Sequence, residues 1–338
     1  MARTLGVRRA YVRTAPAAVA LLLRRLRVEL ALAATVIGVV LLTSGVFSSF
    51  PRLYNRLSDD GLRYAIAHAN VFERNIVMYH GARVAPGPSD PFSGVDAAGA
   101  QFQQGLAPSI RQVIGHRDFV VDAPEYRFPE PPGPPPALER HVLLRYQSGV
   151  ADHTAIVQGR APAVTSQRYT PPGGGAPVPV MEAALSQQTA EALQIKLGDF
   201  VELESDPNEP LSRFGNSPPN LAIHVVGYLQ VKDPDDDYWF SDVRFDPPSV
   251  YDDGNQTQVY ATALFAPAAY QDLLNDVSPS LLGYTYRYEV APASFNAGQL
   301  GTLAGDLKQL DAKYPPAFLS RPTDIAVSTQ LTNILKRF

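Results

Sequence analysis

From residue 30 to residue 50 the chain reads LALAATVIGVVLLTSGVFSSF, with no charged side chain, whereas the remainder mixes apolar and polar positions as helices and half-buried strands do. At 1.5 Å per residue, 21 helical residues span about 31 Å, close to the roughly 30 Å of a bilayer's hydrocarbon core. A helix pairs its own backbone N–H and C=O groups, as lipid demands. The run therefore predicts a membrane-spanning helix over 30–50. A cleaved signal peptide is the competing reading, but its apolar part holds only about 7 to 15 residues and ends in small residues of the A-x-A kind. This run is longer and ends in SSFPR. Upstream, PAAVALLLRRLR (16–27) suits an interfacial helix or a simple anchor flank.

Beyond Pro51, SDDGLRYAIAHAN offers Ser58 or Asp59 as an N-cap, with Leu62, Ile66 and Ala69 on one helical face. NIVMYHGARV (75–84) predicts a strand followed by a Pro/Gly/Ser loop through Gly94, and QFQQGLAPSIRQVIG (101–115) a helix interrupted near Gly105 to Pro108. FPEPPGPPP (128–136) has polyproline character and cannot join a sheet ladder. Strands are predicted within ERHVLLRYQ and TAIVQGR, and a second loop at PPGGGAPVP (171–179). A helix follows from about Ser186 to Leu193, then a Gly-Asp turn and a strand. LAIHVVGYLQV (221–231) and YTYRYEV predict strands, VYATALFAPAAYQDLL a strand then a helix, and FNAGQLGTLAGDLKQLDAKY a helix. The expectation is an α+β domain of two lobes behind one spanning helix.

Charge orients this arrangement. Residues 1–27 carry seven arginines and no acid; with a formal net charge of -4, residues 28–338 sum to -11. Arg24, Arg25 and Arg27 sit against the apolar run, which suits a membrane edge better than nucleic acid and places the N-terminus in the cytoplasm and the bulk outside. Absent cysteine removes disulfides and thiolate chemistry, and 31 prolines point to long surface connections. Ala34, Gly38 and Gly45 lie along one face of the spanning helix as a candidate packing seam.

Signatures of chemistry are missing: no GxxxxGK[ST], GxSxG, HExxH or GxGxxG stretch occurs, and the six histidines are scattered. Asp233, Asp235 and Asp237 begin like a calcium loop, but Tyr238 stands where its glycine is needed and no glutamate follows at position twelve. A solvated turn ending in a packed Tyr238–Trp239 pair is expected there. No catalytic residue, cofactor, metal or nucleic-acid partner is predicted.

Several stretches carry a resemblance. TAIVQGRAP, ALSQQTAEALQIKLGDFVEL, IHVVGYLQVKDPDDDYW and ALFAPAAYQDLL, following a basic N-terminus and one spanning helix, resemble the first helix and extracytoplasmic core domain of MacB-like or FtsX-like ABC transporter permeases. Gly159, Arg160 and Pro162 match an "eGRxP" element; Thr189, Ala190, Leu193, Leu197, Gly198 and Asp199 match "tAxxLxLxxGD"; Val226, Gly227, Asp233, Pro234, Asp237, Tyr238 and Trp239 match "vvGxxxxxDPxDxYW". The resemblance implies a permease subunit working with a separate ATPase subunit, other permease helices or a second permease subunit, and the lipid bilayer, with no cofactor and no catalysis of its own. It also implies a division into a cytoplasmic tail (1–29), the spanning helix (30–50), a core domain (51–320) and the start of a returning stalk helix (321–338). Because that family places three further spanning helices after its core domain, the chain is expected to be a fragment or a split subunit. The alternatives are a single-pass binding or sensory ectodomain and a membrane-anchored enzyme using acids of the 233–237 cluster.

Overall fold

The computed structural model describes residues 11–338 except 130–136, 173, 206–218, 241, 243, 245, 253, 278–281 and 316–324, and gives no side-chain environment for 11–18 or 51. Its contacts divide the chain into two units, Met1–Gly61 and Leu62–Phe338.

The first unit is helical. Helix α1 runs from Tyr11 to Ala67, so its last residues belong to the second unit. By length and composition the segment Val19–Ala67 is apolar enough to cross a membrane, and none of its most apolar window is buried. The expected boundary at Pro51 is absent, and neither Ser58 nor Asp59 caps a new helix. Arg52 to Leu57 (RLYNRL) contributes helix-favouring residues, and the proline removes one N–H from the ladder without ending it.

In the second unit, Leu62 and Ile66 are fully buried, as the helical spacing predicts. Helix α2 (Val71–Arg74) follows, with Asn70 Oδ1 accepting the Phe72 N–H at 2.9 Å. Then come β1 (Ile76–Ala82), α3 (Ser93–Gly105), α4 (Pro108–Val113), β2 (Ile114–Asp122), β3 (Tyr126–Arg127), β4 (Leu138–Gln147), α5 (Val150–His153) and β5 (Thr154–Gly159). The proline-rich expectation falls largely on 130–136, outside the described residues. After β6 (Arg168–Tyr169), β7 (Val178–Ser186) leads into α6 (Gln187–Leu193), where Ser186 Oγ accepts the Thr189 N–H at 3.1 Å as an N-cap. The chain continues through β8 (Phe200–Ser205), β9 (Leu221–Val231), β10 (Ser249–Asp252), β11 (Thr257–Phe265), α7 (Tyr270–Asp276), β12 (Leu282–Val290), α8 (Leu300–Lys313), β13 (Ile325–Thr329) and α9 (Leu331–Leu335). The returning helix expected over 321–338 is therefore replaced, where described, by a strand pairing with β1 and a short helix. IAVST, rich in β-branched residues, favours the strand.

The strands combine an open sheet with a closed ring. In the open part the order is β4-β2-β12-β1-β13, antiparallel throughout. From β4 the pairing also runs β3, β8, β9, β7 and β11 and returns to β4 through a parallel β11–β4 ladder. That closes a six-stranded barrel sharing β4 with the open sheet. Alternate barrel residues such as Leu144, Met181, Ala183, Ile223, Val225 and Ala263 enter the main core. Helices α3, α4 and α8 cover one face of the open sheet through Tyr286 and Tyr288, whose hydroxyl donates to Gly99 O at 3.0 Å. A Cβ at Gly99 would lie 2.6 Å from the Tyr286 ring. All barrel strands lie between β2 and β12 in sequence, and those two strands pair at Asp122 and Gly283.

At the end of α7, burial first and then Asp272 one turn earlier push the Asp276 carboxyl up to about 6, against the pull of Arg168. The helix C-terminus adds to the same disfavour. The folded chain then holds a proton that the unfolded chain releases between about pH 4 and 6, so stability falls as pH rises through that window. Asp276→Asn is expected to flatten that slope in urea titrations and to raise stability at pH 7 by about 1 kcal/mol, the figure being discounted for a half-exposed group.

Candidate functional site

The motif residues collect at two places on the barrel. At the first, β5 pairs with the second half of β9, and Gly159 faces Gly227 directly. Gly159 has φ +76°, and a Cβ there would stand 2.3 Å from Val226 O; at Gly227 it would stand 2.2 Å from Arg160 O. Register shifts between Ala183 and Ala184 and between Ile156 and Gln158 mark bulges in the β7–β9 and β5–β9 ladders, where glycine permits the close crossing. The Arg160 N–H donates to Val226 O at 2.9 Å, and the Gly198 N–H to Val225 O at 2.7 Å. Gly198 has φ +91°, and Asp199 Oδ2 accepts the Lys196 N–H at 2.8 Å, so the Gly-Asp turn is capped by its own aspartate as its sequence suggests. Sequence elements about 30 to 40 residues apart thus meet at one crossing. Beside it, half-exposed Arg160 grips buried Glu182 through both guanidinium nitrogens, and the Ala163 N–H donates to the same carboxylate at 2.9 Å. The hydrogen bonds from Arg160 chiefly hold the Glu182 carboxyl below its ordinary value, against its burial.

The second place is the turn after β9. Asp233 Oδ1 accepts the Asp235 N–H at 3.0 Å, Asp236 Oδ1 accepts the Tyr238 N–H at 2.9 Å, and Asp237 pairs with Arg74. These carboxylates serve the turn. Among the described residues no group of three or more His, Asp or Glu side chains is placed to hold a metal ion. Tyr238 and Trp239 are buried edge to face at 4.8 Å, as the sequence suggests, and Trp239 Nε1 donates to Asp233 O at 2.9 Å. His153 stacks on Tyr238 at 3.7 Å and sits 3.0 Å from Asp236, beside a polar cleft of about 490 Å3 that also reaches His116 and Asp118.

Beneath the turn lie two arginines that the sequence reading does not single out. Arg145 on β4 is 4% exposed and forks onto Asp122 of β2, its cross-strand neighbour, at 2.7 and 3.0 Å, and also bonds Asp242. Burial opposes its charge, yet the two carboxylates hold the guanidinium protonated beyond its ordinary range. Arg287 on β12, 5% exposed, is pulled down to about 10 by burial and by Arg145, against Asp242 and Asp122. Its Nη1 donates to Tyr238 O at 2.9 Å, its plane lies 4.6 Å from the Phe240 ring, and Gln147 donates to the same carbonyl at 3.2 Å. The signal for both was a lone arginine inside an apolar strand, VLLRYQ and YTYRYEV.

In the helical unit Ala34 and Gly45 are exposed and Gly38 half-exposed, and a Cβ on either glycine would meet no atom within 4 Å. Comparison with protein-family models and with curated proteins gives no match. The motif residues serve as fastenings: glycines at close crossings, carboxylates on turns, and Arg160 paired with buried Glu182.

Trp239, the sole tryptophan of the chain, sits beside the buried pair, so its fluorescence reports unfolding there. Arg145→Met is expected to destabilise the unit by about 3 to 5 kcal/mol, because Asp122 and Asp242 would both lose the guanidinium that they share in a buried place. Gly227→Ala should cost about 1 to 3 kcal/mol through its clash with Arg160 O, whereas Gly301→Ala, in an open helical position, should be neutral or stabilising by up to about 1 kcal/mol. Urea melts of each variant followed at Trp239 check these signs.

Proposed function

We propose that this chain is a membrane subunit of the MacB-like or FtsX-like ABC permease kind, its second unit lying outside the cytoplasmic membrane and working with a separate ATPase. The observation that carries the reading is the convergence of its three motif elements: Gly159–Arg160, Gly198–Asp199 and Gly227 meet at one barrel crossing. Residues that resemble a family pattern are thus the ones this fold uses to hold its shape, which supports a shared core domain rather than chance similarity. The apolar segment within Val19–Ala67 and seven arginines before residue 28 support an N-in, C-out arrangement. On this reading the chain performs no chemistry, and relays ATP-driven motion of its partner to the outer domain for export or mechanical signalling. Ala34, Gly38 and Gly45, bare in the single chain, would receive other permease helices.

A second reading is a single-pass binding or sensory ectodomain. The observation favouring it is that one helix among the described residues is long and apolar enough to span.

The two part on one experiment. Expressed in its own host, the full chain is expected to co-purify with a P-loop ATPase, and protease added to spheroplasts should digest the 62–338 unit while sparing a fragment around the apolar segment. Digestion without any associated ATPase would favour the sensory reading. Shielding of the 62–338 unit from external protease would overturn both.

A further inference from the structure

A cleft of about 530 Å3, within the size range of small-molecule sites, opens between α3–α4 and α8 with β1 as its floor. It is remote in sequence from both motif clusters. Met78 and His80, two apart on β1, present to it from the floor, while Phe102, Leu106, Ile110 and Leu310 form apolar walls. Small residues keep it open: Ala98, Gly105 and Ala107 line it where α3 stops and α4 begins, and a Cβ at Gly105 would meet nothing within 4 Å.

Its polar groups are His80 on the floor and Gln101, Asp306, Gln309, Lys313 and Tyr314 on the helices and their ends. The Asp306 carboxylate is engaged by the Ser109 hydroxyl. Burial pulls the His80 pKa down, so its ring is neutral at pH 7 and brings no charge to the floor. Lys313 lies at the α8 side, its Nζ 4.9 Å from the centre of the Tyr314 ring, and among the described residues no carboxylate forms an ion pair with it. A cleft with apolar walls behind a polar rim, where Lys313 has no ion-pair partner among the described residues, matches a ligand with an apolar body and a single negative charge.

We propose that this cleft binds a single-chain amphiphile of the fatty-acid class, its alkyl chain lying between Phe102, Leu106 and Leu310 over Met78 and its carboxylate meeting Lys313. Burial of the chain supplies the affinity, and the lysine selects the sign of the head group.

The test uses the full chain in lipid nanodiscs and a dodecanoate bearing a photoactivatable diazirine in its chain, with labelled peptides identified by mass spectrometry. Labelling is expected in 93–113 and 300–314, reduced by excess dodecanoate and unaffected by dodecyltrimethylammonium. Lys313→Gln should lower the label about threefold, the scale of one exposed charge contact, and Lys313→Glu should lower it further. Gly105→Leu, which fills the trough, should remove it while leaving Trp239 fluorescence unchanged. Labelling confined to α1, equal competition by the cationic amphiphile, or undiminished labelling in Lys313→Glu would overturn the proposal; the last variant changes an exposed residue and keeps the test valid if Gly105→Leu fails to fold.

Discussion

Two guanidinium groups must be kept satisfied away from water, and the joint between barrel and open sheet is arranged around that requirement. Arg145 extends from the shared strand β4 and Arg287 from β12, and neither has solvent to fall back on. Asp122 supplies a carboxylate from β2, while Asp242, Phe240 and the Tyr238 carbonyl arrive on the segment after β9. The acidic turn is thus drawn down onto the back of the open sheet, opposite the face that the helices cover. Charge-assisted bonds of this kind, made away from water, tie β4, β2 and β12 to the segment after β9 at the strand the two sheets share.

The glycine crossing within β9 has a steric rather than electrostatic basis. Gly159 and Gly227 allow β5 to lie against β9 at a bulge where any side chain would strike a carbonyl. With Gly198 bonded to Val225 on the neighbouring side, β9 is held at mid-strand by backbone proximity, and the segment beyond its C-terminal end is held by buried charge. Under the permease reading such a strand would move as a rigid piece, as a relay of motion requires.

Much of the element content is legible in the sequence because its signals are local. LAIHVVGYLQV is a strand from Leu221 to Val231, Ser186 caps the helix its spacing announces, and the break between α3 and α4 falls at Gly105 to Pro108. What escapes the sequence depends on distant partners. Strands of two residues, such as Tyr126–Arg127, exist only because β4 and β8 flank them, and barrel closure rests on the parallel β11–β4 ladder between segments more than 100 residues apart. Helix α1 runs through Pro51 because the proline removes one backbone N–H while the turns on either side keep their own bonds, a balance that no local pattern reveals. At the site, the motif glycines and Asp199 are visible as turn residues, but their meeting is not. Arg145 and Arg287 have no local signature beyond standing alone among apolar neighbours.

The barrel segment leaves the open sheet at Asp122 and rejoins it at Gly283, and these two residues are partners in one ladder. A stretch whose exit and re-entry points touch closes its loop at no cost in chain reach, so β2 and β12 keep their own ladder however the intervening strands are arranged. Within the single unit 62–338 the barrel is thus one long excursion from a ladder that closes behind it, fastened back to the open sheet through the β2–β4 pairing and the Arg145 and Arg287 contacts.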